Sequence, residues 1–456
     1  MNRRTVIALA ALAVLLRLCV FWTMGPTVGS TAFYYEAVAQ NLLKGKGFTY
    51  YPYYIVNFPP EISKSYENLS RPIESIGAYL PPDPKLHVIA PLYRYPPAYP
   101  IFLAATHAVF GPSPAPVVLI QILLNGFVVW MVCRIAMLTF QSTTLATLAG
   151  LAYAIWPFTL LNSLSYEPTA LLYVSVLGAV WAFLEHRQSG RIGWLILSGA
   201  LCGLSALLRT DALFAVFGLM AACFVAPSIS FPTKFLRAAL VFVVTVAVMS
   251  PWFIRNYAVH GRFVSLSCGL GINLVIGIGK YVPESGLPAY DRKVIEEEYG
   301  ADYLNGPYNT DDGCYPDGIN REQGRAKRAR AWIREHPAAF LRSCVTRAPD
   351  LFFVGLDTAR NRLHAGGNFI KRSAAFFLAW IEPLVFVMAA FGAWVFRNRW
   401  RSLSPLVLVI VLYALGHLPM WVEPRYFKPV WPLILMFACA PFCQKSPKFD
   451  LPVPTK

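Results

Sequence analysis

The sequence predicts an all-α integral membrane protein, a bundle of about ten transmembrane helices with interfacial helices at the outer face. Hydrophobic residues make up 56% of the 456 residues and charged residues only 14%, whereas a soluble protein carries roughly 25% charged residues. Apolar runs of about 17 to 25 residues, long enough to cross a hydrocarbon core of roughly 30 Å, recur along most of the chain. Short basic connectors separate these runs, as is typical of the cytoplasmic loops of multi-pass proteins.

The charge and the cysteine content exclude two other classes of protein. The net charge is +16, but the basic residues are scattered through connectors and form no motif of a nucleic-acid-binding module. The nine cysteines include no CxxC pair and no Cys/His cluster with metal-binding spacing, so we expect no metal site built on them. Most of them lie inside apolar runs, where cysteine behaves as a small hydrophobic residue.

The first apolar run, TVIALAALAVLLRLCVFWTM, follows the basic residues Arg3 and Arg4. Its basic start is typical of a signal peptide, but the run is longer than a usual signal region and no small-residue cleavage site follows it. We therefore predict a retained first helix that runs outward from the cytoplasm.

Basic connectors place the later spans, because they lie at alternate ends of the apolar runs and such connectors prefer the cytoplasmic side. The clearest markers are Lys445 with Lys448, the run FRNRWRS, the stretch with Lys234 and Arg237, and HRQSGR. The predicted later spans are 115–135, 143–161, 166–185, 193–208, 211–228, 236–256, 372–396, 403–421 and 426–444. They form a single transmembrane domain over residues 1–456 with both termini in the cytoplasm.

The segment RYPPAYPIFLAATHAVFGPSP, residues 94–114, is apolar but has prolines at both ends. Residues 97–111 would reach only about 22 Å as a helix, at 1.5 Å per residue. If this segment were a full span, every later loop would change sides and the basic connectors would lie outside. We predict a short helix in the outer interface, and a short tilted eleventh span is the alternative.

This topology leaves two large external regions, residues 26–113 and 257–371. The first contains YYEAVAQNLLKGKGF, whose apolar stripe followed by Gly45 and Gly47 predicts an interfacial helix that stops at glycine. The second contains NREQGRAKRARAWIREHPAAFLRSCVTRAPDLFF, basic amphipathic helices that we expect to lie along the outer surface. Interfacial helices on one side indicate that the protein works on something at that side.

Six stretches carry a family resemblance, and they follow one another in the family order from residue 34 to residue 432. They are YYEAVAQNLLKGKGF, RYPPAYPIFLAATHAVFGPSP, AYAIWPFTLLNSLSYEPTALL, GALCGLSALLRTDALF, SPWFIRNYAVHGRFVSLSCGLGINL and EPRYFKPVWP. The chain resembles the bacterial GT-C glycosyltransferases of the dolichyl-phosphate-mannose protein mannosyltransferase type, which are related to the lipid A aminoarabinose transferase. The resemblance implies a GT-C-type transmembrane bundle.

The resemblance also implies an enzyme, a polyprenyl-phosphate-sugar-dependent glycosyltransferase. Such an enzyme moves a hexose or pentose from a polyprenyl-phosphate-linked donor to a lipid, glycan or protein acceptor, with inversion at the sugar carbon. It implies a place in the cytoplasmic membrane with the active site facing the exterior, and no nucleic-acid partner. No cofactor is required, because arginines can stabilise the departing phosphate, and the sequence gives a divalent metal no support.

Two other functions stay open at this point. A catalytically inert relative would bind a lipid-linked sugar or a partner protein without transfer. A transporter or flippase of a lipid-linked sugar would need alternating access, which internal repeats and helices broken at the membrane midplane often accompany. The sequence contains no such repeat.

The family's general base is an aspartate four residues before the tyrosine of the first interfacial helix, here Tyr35. That position is Thr31 in this chain. Glu36 is the nearest carboxylate, although on a helix it lies about 140° around the axis from position 31. We take Glu36 as the first candidate for the base that deprotonates the acceptor, and a solvated glutamate is its alternative role. The other candidates, all in the first external region, are Glu61, Glu67, Glu74 and Asp83.

Glu167, in SYEPTALL, matches a family glutamate and is the second catalytic candidate. Its alternative role is to complement the dipole of a helix that begins near Pro168. Arg209 and Asp211, in LLRTDALF, lie at an outer turn between two spans. The resemblance implies that they line the cavity, and simple pairing with each other is the alternative.

Arg255 and Asn256, in PWFIRNY, end a span on the outer side. Arginine offers a planar fork of donors suited to phosphate, whereas snorkelling to headgroups is the usual role at such a place. Arg425 and Tyr426, in EPRYFKP, cap the last outer turn, with Glu423 close enough to pair. We expect both pairs of residues to contact the donor phosphate or its cavity.

The resemblance further implies a basic residue immediately before the diproline of residues 96 and 97. Tyr95 occupies that place and Arg94 is displaced by one position. Arg94, Lys85 or His87 would carry a cation to the carrier phosphate, and contact with headgroups is the alternative. His417 lies within a predicted span, where we expect a buried, hydrogen-bonded histidine rather than a metal ligand.

Overall fold

A computed structural model describes residues 1–26, 32–50, 53–55, 90–225, 229–299, 308–310, 318–353 and 369–443. The predicted all-α membrane fold is confirmed, because apolar helices dominate these residues. Several residues named above lie outside the described ranges: Thr31, Glu61, Glu67, Glu74, Asp83, Lys85 and His87.

In the N-terminal half, short turns join the helices from residue 98 onward. The helices are α1 (Arg3–Met24), α2 (Ala32–Leu43), α3 (Ala98–Phe110), α4 (Pro114–Phe140), α5 (Thr143–Ile155), α6 (Pro157–Asn162), α7 (Thr169–Ser189), α8 (Ile192–Leu208) and α9 (Leu213–Val225), the last preceded by a 3-10 turn, Thr210–Ala212.

The C-terminal half mixes long and short helices. They are α10 (Phe231–His260), α11 (Leu270–Tyr281), α12 (Asp291–Tyr299), α13 (Gly318–Glu335), α14 (Pro337–Thr346), α15 (Ala348–Phe352), α16 (Phe369–Val395), α17 (Trp400–His417), α18 (Pro424–Phe427) and α19 (Trp431–Cys439). Further 3-10 turns are Pro283–Ser285, Arg397–Arg399, Lys428–Val430 and Ala440–Phe442.

The long helices pack side by side around one apolar core. α7 lies between α4 and α8, α8 packs on α10, and α9 packs on α17. A continuous cluster of buried apolar side chains runs through α4, α5, α7 and α19. The charged and aromatic groups of the candidate site are therefore anchored on a rigid apolar frame.

Two short antiparallel ladders hold the external segments. β1 (Thr49–Tyr50) pairs with β3 (Ala90–Pro91), and β2 (Tyr53–Ile55) pairs with β4 (Tyr308–Thr310). The second ladder joins the two predicted external regions through backbone hydrogen bonds.

Five helical segments of the described chain are long and apolar enough to cross a membrane: α1, α4, α7, α10 and residues Arg397–His417, which include α17. Shorter apolar helices, among them α5, α8 and α9, coincide with other predicted spans. The protein is thus a multi-pass membrane protein. α3 has 13 residues, which reach roughly 20 Å, so the short helix predicted within residues 97–111 is present.

Prolines shape two of the predicted spans. Span 143–161 is broken at Trp156, which is extended with φ −62° and ψ 120°, because Pro157 lacks an N–H and disfavours helical backbone in the residue before it. The predicted span 426–444 stays helical to Phe442 but alternates between α and 3-10 geometry, with α18, α19 and two 3-10 turns in succession. A proline stands in the first turn of each of these pieces: Pro424, Pro429, Pro432 and Pro441.

The break at Trp156 leaves the Ala154 carbonyl free to accept a hydrogen bond from a buried arginine. Arg17 of α1 is fully buried, and its guanidinium donates to the carbonyl of Ala154 and the hydroxyl of Thr159, both at 3.2 Å. It also lies 5.3 Å from the centre of the Tyr153 ring. Carbonyls in the last turn of a helix have no helical partner, so the end of α5 can hold a cation that would otherwise be costly to bury.

Small residues let α8 and α10 approach closely. Gly199 and Gly203 lie one turn apart on α8, and the hydroxyl of Thr245 on α10 donates to the Gly199 carbonyl at 3.0 Å. A Cβ atom on Gly203 would lie 2.6 Å from Cβ of Val248 and 2.9 Å from the Thr245 carbonyl oxygen. Glycines at this spacing are typical of tight helix packing in membranes.

The Gly203→Ala substitution should lower the apparent unfolding temperature of the protein in detergent, because backbone atoms of α10 cannot yield to the new methyl group. Gly193→Ala, on the same helix with nothing within 4 Å of the added Cβ, is the matched control and should leave it unchanged or raise it slightly, since alanine favours helix by roughly 1 kcal/mol over glycine. Equal unfolding temperatures for the two variants would contradict the close packing.

Candidate active site

Glu36 lies inside the protein, where it contacts His107 and Tyr166. Its carboxylate is 3% exposed and lies 2.9 Å from Nε2 of His107, which is 0% exposed. The Tyr166 hydroxyl donates to Oε2 over 2.5 Å, and the Gln40 amide donates to Oε1 over 2.9 Å. The first catalytic candidate is therefore buried and hydrogen-bonded rather than solvated.

The contacts of His107 fix the protons that this group carries. Nδ1 lies 3.2 Å from the carbonyl oxygen of Gly111, which only accepts, so Nδ1 carries a hydrogen. Nε2 lies 2.9 Å from Glu36 Oε2 and 3.0 Å from the Tyr166 hydroxyl. Because the Tyr166 hydrogen is donated to Oε2, Nε2 either donates to the Glu36 carboxylate or accepts from the protonated carboxyl group. One proton lies between the two side chains in both cases, and we call Glu36 with His107 the carboxyl–imidazole pair.

Three separate segments supply the carboxyl–imidazole pair and the Tyr166 hydroxyl that binds it. α2 carries Glu36 and ends before Gly45, which has a φ of 72°, as the glycine stop predicts. α3 carries His107 in its last turn and ends at Gly111, with a φ of 80°. Tyr166 comes from the turn before α7, and burial raises the pKa of its phenol well above the ordinary value, with Glu36 raising it further. Tyr166 therefore stays protonated and donates.

Tyrosine rings form a wall beside this pair. The Tyr35 ring lies 5.3 Å from Tyr95 and 5.0 Å from Tyr99, centre to centre, and Tyr99 lies 6.3 Å from Tyr166. Burial raises the pKa of the Tyr99 phenol well above its ordinary value, and Tyr35 and then Glu167 raise it further. Glu167 therefore acts electrostatically on the same wall.

Glu167 stands immediately before the start of α7. The helix begins at Thr169 with Pro168 in the cap position, and its first turn contains no acidic residue. Glu167 is half-buried, which leaves its carboxylate more accessible than that of Glu36. Its role as a catalytic candidate stays a prediction.

A second group of side chains surrounds Asp211. Arg209 and Asp211 pair through Nε to Oδ1 at 3.1 Å and Nη2 to Oδ2 at 2.6 Å. Oδ2 also lies 3.2 Å from the Tyr413 hydroxyl and 3.1 Å from Nε2 of His417. The Tyr426 ring lies 5.3 Å from the Arg209 guanidinium and stacks on His417 at 5.8 Å. We call these five residues the cation cluster.

The cation cluster carries a net positive charge. Nδ1 of His417 lies 2.7 Å from the Tyr413 carbonyl oxygen and Nε2 faces the Asp211 carboxylate, two acceptors that an imidazolium satisfies. Burial raises the pKa of Asp211, but Arg209 and then His417 lower it more, and the pKa lies well below its usual range. Asp211 thus neutralises one of two cations, and one positive charge is left for an anion.

Tyr35 links the two groups electrostatically. It is the neighbour of Glu36 in α2, its ring contacts Tyr99, and its electrostatic influence reaches the Arg209 guanidinium. A group able to move a proton and a group able to hold an anion therefore lie within electrostatic range of one buried tyrosine. The sequence assigns the residues of the two groups to different helices and does not reveal that the groups lie near each other.

Arg255 is bound to the first external region. Its two Nη atoms donate to the carbonyls of Leu92 and Phe48, the latter at 2.7 Å, and its guanidinium lies 4.8 Å from the centre of the Trp252 ring. Asn256 accepts from Arg255 at 3.0 Å and is fully buried. Both residues therefore tie α10 to the β1–β3 ladder, and their contact with phosphate stays a prediction.

Arg94 and Tyr95 border the tyrosine wall. The Arg94 guanidinium lies 5.7 Å from the centre of the Tyr34 ring and 5.4 Å from that of Tyr95. Lys85 and the side chain of Arg425 lie outside the described residues. The phosphate roles of Arg94, Lys85 and Arg425 stay predictions.

Sequence reasoning missed His107 and Tyr166, and it did not connect His417 with Asp211. A signal for His107 exists, because an ionisable residue within an apolar stretch such as LAATHAVF is a functional hypothesis by default. Tyr166 has no comparable signal, since only the folded chain brings its turn to α2.

The described residues contain no group of three or more His, Cys, Asp or Glu side chains that could hold a metal ion. A cavity of about 20 Å³ is lined by aromatic rings and by Thr159, Asn162, Glu382 and Lys428. This volume is enough for a water molecule but not for a sugar. The cavity is therefore not the candidate active site.

Comparison with protein families supports the resemblance seen in the motifs. Residues 94–253 match the family model described as dolichyl-phosphate-mannose-protein mannosyltransferase. This stretch contains α3, Glu167, Arg209 and Asp211. No curated protein sequence matches the chain.

Comparison with solved structures shows the fold. The structure resembles the oligosaccharyltransferase AglB of Archaeoglobus fulgidus in complex with an inhibitory peptide and a dolichol-phosphate, with a TM-score of 0.51 and 15% identity over 96% of this chain and 49% of that one. The apo form of the A. fulgidus oligosaccharyltransferase gives a TM-score of 0.51 at 14% identity, over 96% and 49% of the two chains. The chain thus spans about half the length of these proteins.

A weaker likeness is to ArnT of Cupriavidus metallidurans bound to undecaprenyl phosphate, with a TM-score of 0.43 and 15% identity over 97% of this chain and 79% of that one. The GT-C superfamily fold that the motifs imply is confirmed by the family match and the likeness to the oligosaccharyltransferase.

Asp211→Asn should destabilise the protein, because it leaves the buried His417 and the partly exposed Arg209 without their counter-ion. Breaking a fully buried pair costs about 3–5 kcal/mol, and the exposure of Arg209 makes the loss smaller here. A carboxyl group with a lowered pKa contributes stability above its unfolded value, about pH 4, and loses it only in stronger acid. The wild-type advantage should therefore be present at about pH 5 and shrink in stronger acid. Thermal unfolding in detergent measures the stability difference between wild type and variant, and Asp350→Asn, a substitution outside the cluster, is the control. A variant as stable as wild type would contradict this assignment.

Proposed function

We propose that the chain is a membrane glycosyltransferase that moves a sugar from a polyprenyl-phosphate donor to a lipid, glycan or protein acceptor at the outer face. One observation carries the proposal: Tyr35, next to Glu36 of the carboxyl–imidazole pair, lies within electrostatic range of Arg209 of the cation cluster. Transfer of a sugar from a lipid phosphate needs a base for the acceptor and positive charge for the phosphate that leaves.

The fold and the charge of the site support the donor class. The A. fulgidus oligosaccharyltransferase, which has a similar fold, is seen in complex with a dolichol-phosphate. In this chain the net positive charge of the cation cluster suits a phosphate, and the side chain of Arg209 is 18% exposed. A guanidinium edge that stays accessible can add a bidentate contact to phosphate oxygens.

Glu36 is the base in this proposal. Its Oε1 atom accepts from Gln40, and a carboxylate oxygen has room for a second hydrogen bond. The acceptor hydroxyl gives its proton to Oε1 while its oxygen attacks the sugar carbon on the side opposite the phosphate. The bond to the phosphate breaks, its electron pair goes to the phosphate oxygen, and the configuration of the carbon inverts.

The burial of Glu36 sets a condition on this step. Because the carboxylate is 3% exposed, the acceptor must displace part of the tyrosine wall before it reaches Oε1. Such gating movements are common in enzymes that exclude water from the reaction. Tyr99 and Glu167 stand at this wall, and we assign them the orientation of sugar or acceptor hydroxyls.

The same burial favours a second candidate function, a catalytically inert relative that binds a lipid-linked sugar. Thr31 stands where the family has its aspartate, and Glu36 is enclosed by Gln40, His107 and Tyr166. Such a protein would keep the cation cluster for the phosphate and would transfer nothing. Measuring donor binding and sugar transfer on the same sample separates the two functions.

Glu36→Gln should abolish most transfer and preserve donor binding, because the amide keeps the shape of the side chain but cannot take a proton. The loss of a general base is expected to lower the rate by about 10²–10⁴-fold. Arg209→Leu should instead weaken donor binding, by roughly 10- to 100-fold for a lost charge-assisted hydrogen bond. Both are measured with purified protein, a panel of polyprenyl-phosphate sugars, and separate binding and transfer assays.

The matched control is Glu335→Gln, an exposed glutamate at the end of α13, which should keep wild-type transfer. Donor binding without transfer by the wild type would favour the inert relative. The proposal is overturned if the wild type shows no binding and no transfer with any donor of the panel.

Transfer should persist in the presence of a metal chelator, because Arg209 and His417 supply the positive charge for the phosphate. Transfer rates measured with and without the chelator should agree within error. A rate that falls with the chelator and recovers on addition of a divalent cation would show that side chains alone do not hold the donor.

A further inference from the structure

His107 has no part in the reaction as proposed above. We infer that His107 positions the carboxyl group of Glu36 and takes up its proton during transfer, an inference that rests on the proposed glycosyl transfer. Neither the motif resemblance nor the family match singles out this residue. The contacts of its two ring nitrogens carry the inference.

The end of α3 fixes the orientation of the His107 ring. The N–H of Gly111 donates to the His107 carbonyl at 2.9 Å, and the Gly111 carbonyl accepts from ring Nδ1 at 3.2 Å. Gly111 has a φ of 80°, a backbone conformation that suits glycine and few other residues. The helix cap therefore selects the Nδ1–H form of the ring and turns Nε2 toward Glu36.

The two oxygens of Glu36 have different surroundings. His107 Nε2 at 2.9 Å and the Tyr166 hydroxyl both bind Oε2, whereas the neutral amide of Gln40 binds Oε1. Oε1 is therefore the oxygen left to meet a substrate, and Oε2 is the one that exchanges a proton with the imidazole. This division of tasks resembles the way a third group orients a catalytic base in other enzymes.

The titratable groups that face the pair come from each element packed around it. α2 contributes Tyr35, α3 contributes Tyr99, and the turn before α7 contributes Tyr166 and Glu167. Burial raises the pKa values of the Tyr99 and Tyr166 phenols, so these two tyrosines stay neutral at ordinary pH. Glu167 is a further carboxylate among the described residues whose electrostatic influence reaches Tyr99.

The proton balance of the step is simple. Before transfer, one proton lies between Oε2 and Nε2. The acceptor hydroxyl then gives its proton to Oε1, and the first proton comes to rest on Nε2, so the carboxyl group holds one proton and the imidazole is cationic. The pair gains one positive charge as the leaving phosphate gains an electron pair, and in a buried site these opposite charges stabilise each other more than in water.

The test compares His107→Gln with wild type across pH. The glutamine amide can donate to Oε2 but cannot take up a proton, so transfer should fall by about 10²–10⁴-fold, the range that general acid–base catalysis supplies, with donor binding unchanged. The pH–rate profile should also lose an ionisation that belongs to the pair rather than to one residue. A rate lowered equally at every pH would mean that His107 only packs, and would overturn the inference.

Two further variants make the result specific. Tyr166→Phe removes the hydroxyl that binds Oε2 but keeps the ionisation of the pair, so its pH profile should keep its shape. His336→Gln, an exposed histidine after α13, should keep both rate and profile. An unchanged rate in His107→Gln would also overturn the inference.

A spectroscopic measurement tests the pair without relying on activity. Full-length protein in lipid nanodiscs with ¹⁵N-labelled histidine should show a His107 signal with Nδ1 protonated and an Nε2 shift that moves in Glu36→Gln. An Nε2 signal unaffected by Glu36→Gln would overturn the pair. If the wild type shows the expected His107 signal but transfers no sugar, the proposed function and the role of His107 in it are overturned. The contact between His107 and Glu36 would remain supported.

Discussion

The structure depends on one constraint: a charged side chain buried among apolar helices costs several kcal/mol unless partners compensate it. Arg17 meets this constraint with the free carbonyls at the end of α5, and Asp211 meets it with Arg209 and His417. Glu36 meets it with His107 and Tyr166. These partners join helices that are far apart in the chain, so the buried polar groups decide which helix ends meet.

The same constraint gives the site its chemistry. A carboxyl group that shares a proton with an imidazole can give or take a proton without leaving a lone buried charge. A cluster with two cations and one carboxylate keeps one positive charge available to an anion. Tyr35, the neighbour of Glu36, lies within electrostatic range of Arg209, and the proposed function brings a lipid-linked phosphate and an acceptor to this place from the predicted outer side.

Sequence patterns predict much of the fold and less of the site. The apolar runs, the glycine stop after α2 and the pairing of Arg209 with Asp211 follow from composition and spacing. The break at Trp156 and the 3-10 turns within residues 426–444 occur at prolines, whose effect on the backbone a count of apolar residues does not include. The partners of Glu36 come from three segments, and the guanidinium of Arg255 holds loop carbonyls, which no local pattern reveals.

The central claim is that Tyr35 marks the meeting point of the proton-moving and phosphate-holding groups. A structure of the protein with a bound polyprenyl phosphate would test it most directly. We predict that a phosphate oxygen lies within hydrogen-bond distance of the Arg209 guanidinium, with the sugar-binding space extending from there toward Glu36. A phosphate held at Lys428 or at Arg255, with no contact to the cation cluster, would contradict the claim.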